Sequence, residues 1–179
     1  MNMDVLPRVI GVDANFLVSN RDSDGERKER IEYLLSRVDK SKGKIIIPTP
    51  AMAEYLVRAD KAGVEILNAL QKRASVVVGS FDVAAAYEAA LFDAAALGRK
   101  DKRDGSEEPW QRIKIDRQIV AIAKVHAAKL IISDDGGVRD AAARVGIAAL
   151  SVDELPLPDH SRQRKLPIAE QVDGSAKST

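Results

Sequence analysis

A chain of 179 residues with 45% hydrophobic and 31% charged side chains has the balance of one soluble globular domain and is short for two. The absence of cysteine excludes disulfides and thiolate chemistry, and two histidines all but exclude a histidine-rich zinc site, so any metal must be held by oxygen. Lys+Arg 28 against Asp+Glu 27 leaves a net charge of +1, which does not announce a nucleic-acid binder, and 4% aromatics are too few for base-stacking platforms. No apolar run reaches membrane-spanning length, and the opening MNMDVLPRVIGVD lacks a basic start followed by a secretory apolar core, so the expectation is a cytoplasmic protein with no membrane contact.

Strands and helices alternate along the chain. Arg8–Val12 is the first expected strand, and Gly25–Lys40 a helix whose apolar stripe is Ile31, Leu34, Leu35 and Val38. Lys44–Ile47 is a short strand, after which Thr49-Pro50 has the form of a helix start, opening a helix to about Arg58. Val64–Arg73 is expected as a helix, Ser75–Val78 as a strand and Asp82–Leu97 as an alanine-rich helix. Gly98–Pro109, GRKDKRDGSEEP, is too charged for a core and is expected as a solvated loop. Then come a helix over Ile113–Lys129, a strand at Leu130–Ser133, a helix at Val138–Val145 and a strand at Ile147–Leu150. The order predicts an α/β fold with a central, mainly parallel five-stranded sheet flanked by helices. Residues 1–155 would form this domain, and Pro156–Thr179, which lacks a sustained apolar period, a flexible tail.

Two of the expected strands end in acids. Asp13 and Asn15 follow the first, and Ser133, Asp134 and Asp135 close the fourth. If the two strands are parallel neighbours, these groups meet at the carboxyl edge of the sheet, where open α/β proteins bind ligands. Glu54, one turn into its helix, and Asp116, at the head of the stripe Ile119, Val120 and Ala123, could complete the cluster. Ionised carboxylates cannot share a pocket without a cation to offset their repulsion, so the arrangement points to a hard divalent ion. Each acid also has an ordinary alternative. Asp13 could cap the following turn, and Glu54 could pair with Arg58 on an exposed helix face. Asp116 could be satisfied by helix-end amides, and either Asp134 or Asp135 could cap the last helix. Ser133 could orient the pocket or simply close a turn. Around these acids lie Arg99, Lys100, Lys102, Arg103, Arg112, Lys114 and Arg117. Of these, Arg99, Lys100, Arg112 and Lys114 are the candidate phosphate-binding cations. Asp101, Asp104, Glu107 and Glu108 interrupt the set and leave a solvated loop as the alternative. His126, ten residues beyond Asp116, is expected to be structural.

Taken together, VDANFLV with Asp13, IPTPAMAEYL with Glu54, KIDRQIVAIAKVHAAKLIISDDGG with Asp116 and Asp135, and VGIAAL resemble a PIN-domain ribonuclease. The likeness extends toward the toxin members of toxin–antitoxin pairs. It covers nearly all of the chain before Pro156 and leaves the 98–109 loop and the tail outside a minimal domain of this type. The resemblance implies that Asp13, Glu54, Asp116 and Asp135 are the catalytic and metal-holding acids. It assigns Asp135 to the fourth acidic position, leaving Asp134, Asn15 and Ser133 in supporting places. It further implies Mg²⁺ or Mn²⁺, hydrolysis of RNA phosphodiesters, a homodimer and a cognate antitoxin. Two other readings stand beside it. One is a noncatalytic PIN-like module that binds RNA or protein; the other is a different α/β phosphoryl-transfer enzyme, in which Asp13 of the Asp13-Ala14-Asn15 segment would be the nucleophile.

Overall fold

The structure, a computed structural model, describes residues 6–22, 25–159 and 161. Five strands form one sheet: β1 (Val9–Val12), β2 (Lys44–Pro48), β3 (Val76–Gly79), β4 (Leu130–Ile132) and β5 (Ala148–Leu150). Their order is β3-β2-β1-β4-β5 and every pairing is parallel. Seven helices accompany them among the described residues: α1 (Ala14–Asp22), α2 (Gly25–Lys40), α3 (Thr49–Arg58), α4 (Lys61–Gln71), α5 (Val83–Gly98), α6 (Trp110–Val125) and α7 (Gly136–Arg144). A 3-10 turn, Val152–Glu154, follows β5. The expected α/β architecture is the one observed.

A parallel sheet buried on both faces needs strands that are apolar on both sides. Here Ile10, Val12, Ile45, Ile47, Leu130 and Ile132 enter one core cluster with Phe16, Leu34, Leu35 and Leu67. The alternate residues face the other way: Ile131 packs with Ile119, Val120 and Ala123, and Ile46 with Ile122. Gly11 shows why α6 can lie so near β1. A Cβ there would stand 3.0 Å from Ala123 Cβ and 3.2 Å from Ile131 Cγ1. The missing side chain at Gly11 thus brings α6, with Asp116, close against the central strand.

Several boundaries differ from the sequence expectation, each for a local reason. The helix Ala14–Asp22 was not anticipated; Asp13 accepts a hydrogen bond from Phe16 N at 2.9 Å and starts it, while Phe16 and Leu17 fill the core. Helix α4 begins at Lys61, not Val64, because the Asp60 side chain caps it through Gly63 N at 2.8 Å. Helix α6 begins earlier, at Trp110 after Pro109, and stops at Val125 instead of Lys129. There Ala127 takes φ +59 and Ala128 N turns back to Ala123 O at 2.9 Å, which closes the helix. Helix α7 begins at Gly136, capped by Asp135, before the expected Val138.

The 98–109 segment is the expected solvated loop, exposed at most positions beyond Gly98, but it is anchored at Asp104. The Asp104 carboxylate receives Arg99 and Arg117 and lies 3.7 Å from Arg144 Nε. Arg117, fully buried, also reaches Asp93 and Lys102 O. The Trp110 ring is approached by Lys102 Nζ, 4.2 Å from its centroid, and by the Arg117 guanidinium at 5.3 Å. Two of the clustered basic residues, Lys102 and Arg117, thus hold the segment to α6. Of the expected tail, Pro156 and Leu157 are buried, and most of the remainder lies outside the described residues.

Candidate metal and substrate cleft

The strand order reverses direction at β1 and β4, so the crevice beyond their carboxyl ends is the place where a ligand can sit between diverging connections. Asp13 leaves β1 and the Ser133-Asp134-Asp135 segment leaves β4 at that place. A cleft of about 620 Å³ opens there, bounded by Asn15, Arg112, Asp116, Asp135 and the 98–109 segment.

The two strand-end aspartates are built alike. Each uses one oxygen as a helix cap: Asp13 Oδ1 accepts from Phe16 N, and Asp135 Oδ1 from Gly137 N at 2.7 Å. Each turns its other oxygen elsewhere. Asp13 Oδ2 accepts from the Ser133 hydroxyl and from Asn15 Nδ2 at 3.2 Å. Asp135 Oδ2 accepts from Arg112 Nη2 at 2.6 Å. Capping, weighed in the sequence as an alternative to a site role, is present in both residues, and it does not use all the lone pairs of either carboxylate. Burial raises the Asp13 pKa to about 6 against the lowering effect of its three donors. At Asp135 burial also acts upward, but Arg112 and the α7 amides outweigh it and hold the carboxylate below its usual range.

Asp116 lacks such support. It lies in the second turn of α6, past the free amides of the first turn, and is only 7% exposed. No hydrogen-bond donor among the described residues reaches its carboxylate. Burial, then the charges of Asp135, Glu54 and Asp13, raise its pKa to about 7, with Arg112 opposing. The Gly137 backbone is pressed against this group: a Cβ there would stand 2.5 Å from Asp116 Oδ2 and 3.2 Å from Asp135 Oδ1. Gly137 therefore lets two like-charged carboxylates converge on one point. Glu54, exposed on α3, acts on Asp116 through its charge and makes no ion pair with Arg58 among the described residues.

Asp134 belongs to a different set of contacts. Its Oδ2 meets Arg27 of α2, and its Oδ1 accepts from Val152 N at 3.0 Å, joining the end of β4 to the 3-10 turn. Arg27 was missed in the sequence because only folding brings residue 27 beside residues 134 and 153. Among the four candidate cations, Arg112 lines the cleft; Arg99, Lys100 and Lys114 do not. Arg103 and Arg117, which belong to the wider basic set, and Arg144, which the sequence did not mark, do line it. For Arg144 the available signal was its place eight residues after Gly136, on a helix that starts at the candidate site. His126 stands beside Gly79 near the end of α6, apart from the acids.

Among the described residues no group of three or more His, Cys, Asp or Glu is drawn together closely enough to form a ready ligand shell. The donor chemistry nonetheless suits a hard divalent cation. The available groups are carboxylate oxygens, and the buried Asp116 carboxylate faces like charges without a donor of its own.

Residues 10–144 match the PIN domain family model. The chain belongs to the PIN domain family. A solved structure with the same fold is one chain of VapBC2 from Rickettsia felis bound to a DNA fragment from their promoter. The two align with a TM-score of 0.57 and 13% identity, over 80% of this PIN-domain chain and 98% of that one. No curated protein matches the chain. No helix among the described residues is long and apolar enough to cross a membrane.

Proposed function

We propose that this PIN-domain protein is a divalent-metal-dependent endoribonuclease that hydrolyses RNA phosphodiester bonds. The observation that carries the reading is Asp116, buried without a donor and facing Asp135, Glu54 and Asp13 at the sheet's switch point. A family scaffold kept only for binding would have no physical reason to retain an unsatisfied carboxylate there, since such a group destabilises the fold.

In this reading Asp13, Glu54, Asp116 and Asp135 hold Mg²⁺ or Mn²⁺. A bound divalent ion supplies a water of lowered pKa and positive charge against the phosphoryl oxygens. Ser133 and Asn15 fix the direction of the Asp13 carboxylate. Arg112, Arg103 and Arg144 line the path along which a phosphate backbone would lie. Arg99, Lys100 and Lys114 would then act from outside the cleft, through the longer-range attraction that weakens with salt. A nucleophilic Asp13 is less well supported, because both its oxygens already accept hydrogen bonds, Oδ1 from Phe16 N and Oδ2 from Ser133 and Asn15.

We further propose a cytoplasmic toxin restrained by an antitoxin, on the resemblance and the fold shared with VapBC2. A homodimer has a candidate surface on α5, where Val83, Tyr87 and Leu91 recur at helical spacing and are mostly exposed. The test of the activity is incubation with mixed RNA and DNA substrates in Mg²⁺, Mn²⁺ or chelator. Internal cuts in RNA that disappear with chelator are expected. Equal cleavage in chelator, or no cleavage of RNA under any metal condition, would reject the reading.

A further inference from the structure

Arg112 stands at the boundary between the carboxylates and the cleft mouth. Its Nη2 donates to Asp135 Oδ2 at 2.6 Å, and its Nη1 lies 3.7 Å from Glu108 of the 98–109 segment. The guanidinium also acts on Asp116 through its charge, opposing the like-charge neighbours of that group. It is thus the cation among the described residues that offsets the converging carboxylates. At the same time the side chain is about half exposed, on the second helical position after Trp110, and its stem is not locked into the core. This contrasts with Arg117, five residues later, whose guanidinium is buried and shared among Asp93, Asp104 and a backbone carbonyl.

We propose that Arg112 is an exchangeable internal counter-ion: it occupies Asp135 until a divalent cation takes that oxygen, and then turns outward to hold a substrate phosphate. The inference rests on the metal-site reading above and adds a coupling to it. One Asp135 oxygen is fixed by the α7 amides, so Oδ2 is the oxygen free to change partner. A guanidinium and a metal ion cannot both hold that oxygen at close range without mutual repulsion. Metal binding therefore frees the arginine fork, which matches phosphate geometry and remains charged throughout. Glu108 gives the released side chain a second anionic partner at the mouth, so the guanidinium does not have to leave into bulk water before substrate arrives. Arg112 is a positioning residue in the metal-free protein and a substrate-binding residue after the exchange.

The coupling can be read without catalysis. Mn²⁺ binding to the full chain is measured by calorimetry for the parent, Arg112→Ala, Arg112→Lys, Arg139→Ala and Asp135→Asn. Arg112→Ala is expected to bind Mn²⁺ roughly three- to tenfold more tightly, as expected for loss of one partly exposed competing charge. Arg112→Lys should fall between it and the parent. Arg139, on the helix that Asp135 caps and outside the cleft lining, serves as a control for overall charge; its removal should change affinity less than twofold. Arg112→Ala should meanwhile lose affinity for inorganic phosphate in Mn²⁺, where the parent gains it on metal addition. Parent-like Mn²⁺ affinity in Arg112→Ala, or an equal gain in Arg139→Ala, would overturn the exchange while leaving the metal site intact. Mn²⁺ binding that is absent from the parent, or unaffected by Asp135→Asn, would overturn the site assignment itself.

Discussion

Asp104 and Asp116 border the same cleft and are both withdrawn from solvent, yet the protein treats them in opposite ways. Asp104 is met by Arg99, Arg117 and Arg144, which overcome its burial and lower its pKa. Asp116 has no donor and three acidic neighbours, and its pKa rises to about 7. A carboxylate that serves the fold is supplied with cations from the chain. One that has no direct donor in a concave site, and only the more distant charge of Arg112 against three acids, is suited to a cation from outside.

The largest expected effect comes from removing the unsupported charge. Asp116→Asn should lower metal-dependent RNA cleavage on the order of 100-fold or more, the scale of losing one group that stabilises transition-state charge, and should leave the metal-free fold at least as stable as the parent. Retained turnover together with a lower melting temperature would invert the comparison. Asp104→Ala should do the reverse, because buried Arg117 loses a main partner. A loss of about 3 kcal/mol is expected for leaving a buried charge partly unpaired, read as a lower melting temperature, and cleavage per folded molecule should change much less. A variant as stable as the parent would show that the 98–109 segment is not held by this cluster.

Titration separates the two acids further. The pKa values of about 6 at Asp13 and about 7 at Asp116 lie above the ordinary value of 3.8. A group whose folded pKa is raised contributes stability that is complete below the unfolded value and is lost as pH rises through the folded one. The melting temperature in chelator should therefore fall as pH increases from about 4 to about 7. For Asp13 alone the scale is about 3 kcal/mol. Asp104 and Asp135, with lowered values, contribute oppositely and only toward more acidic pH. In Asp116→Asn the upper part of the fall should vanish; an identical profile would mean that Asp116 does not carry the shift. The smallest effect sharpens the assignment of adjacent acids. Asp134→Asn should cost about 1–2 kcal/mol through the weakened Arg27 and Val152 contacts and leave cleavage near the parent level, whereas Asp135→Asn should reduce cleavage strongly. Greater catalytic loss at Asp134 would exchange their roles.

Much of the fold was legible because parallel strands that are covered on both faces must be apolar throughout, and VIGV, KIII and LII carry that demand in their composition. The helix after Asp13 was not legible: Asn15-Phe16-Leu17-Val18 has no unmistakable helical period, and only the capping contact to Phe16 N decides it. The acids at strand ends could be located by adjacency to those strands, and Asp116 by its place above Ile119 and Val120. The cations were harder. A basic side chain in a mixed-charge segment has several possible partners, and Arg117 is taken by Asp93 and Asp104 while Arg112 reaches Asp135.

By itself the sequence determined the strand and helix alternation, the oxygen-only chemistry open to a chain without cysteine, and the acids at the ends of β1 and β4, since all three follow from local composition and period. The tertiary structure decided which charges are already answered. Whether an aspartate is satisfied depends on donors brought from residues far away in the chain, as Arg144 is brought to Asp104 and Ser133 to Asp13. It depends equally on the close approach permitted at Gly11 and Gly137, where the absence of a side chain brings Asp116 against the central strand and beside Asp135. Neither the long-range pairing nor the desolvation it causes has a local sequence signal, and together they distinguish the carboxylate that holds the fold from the one left facing the cleft.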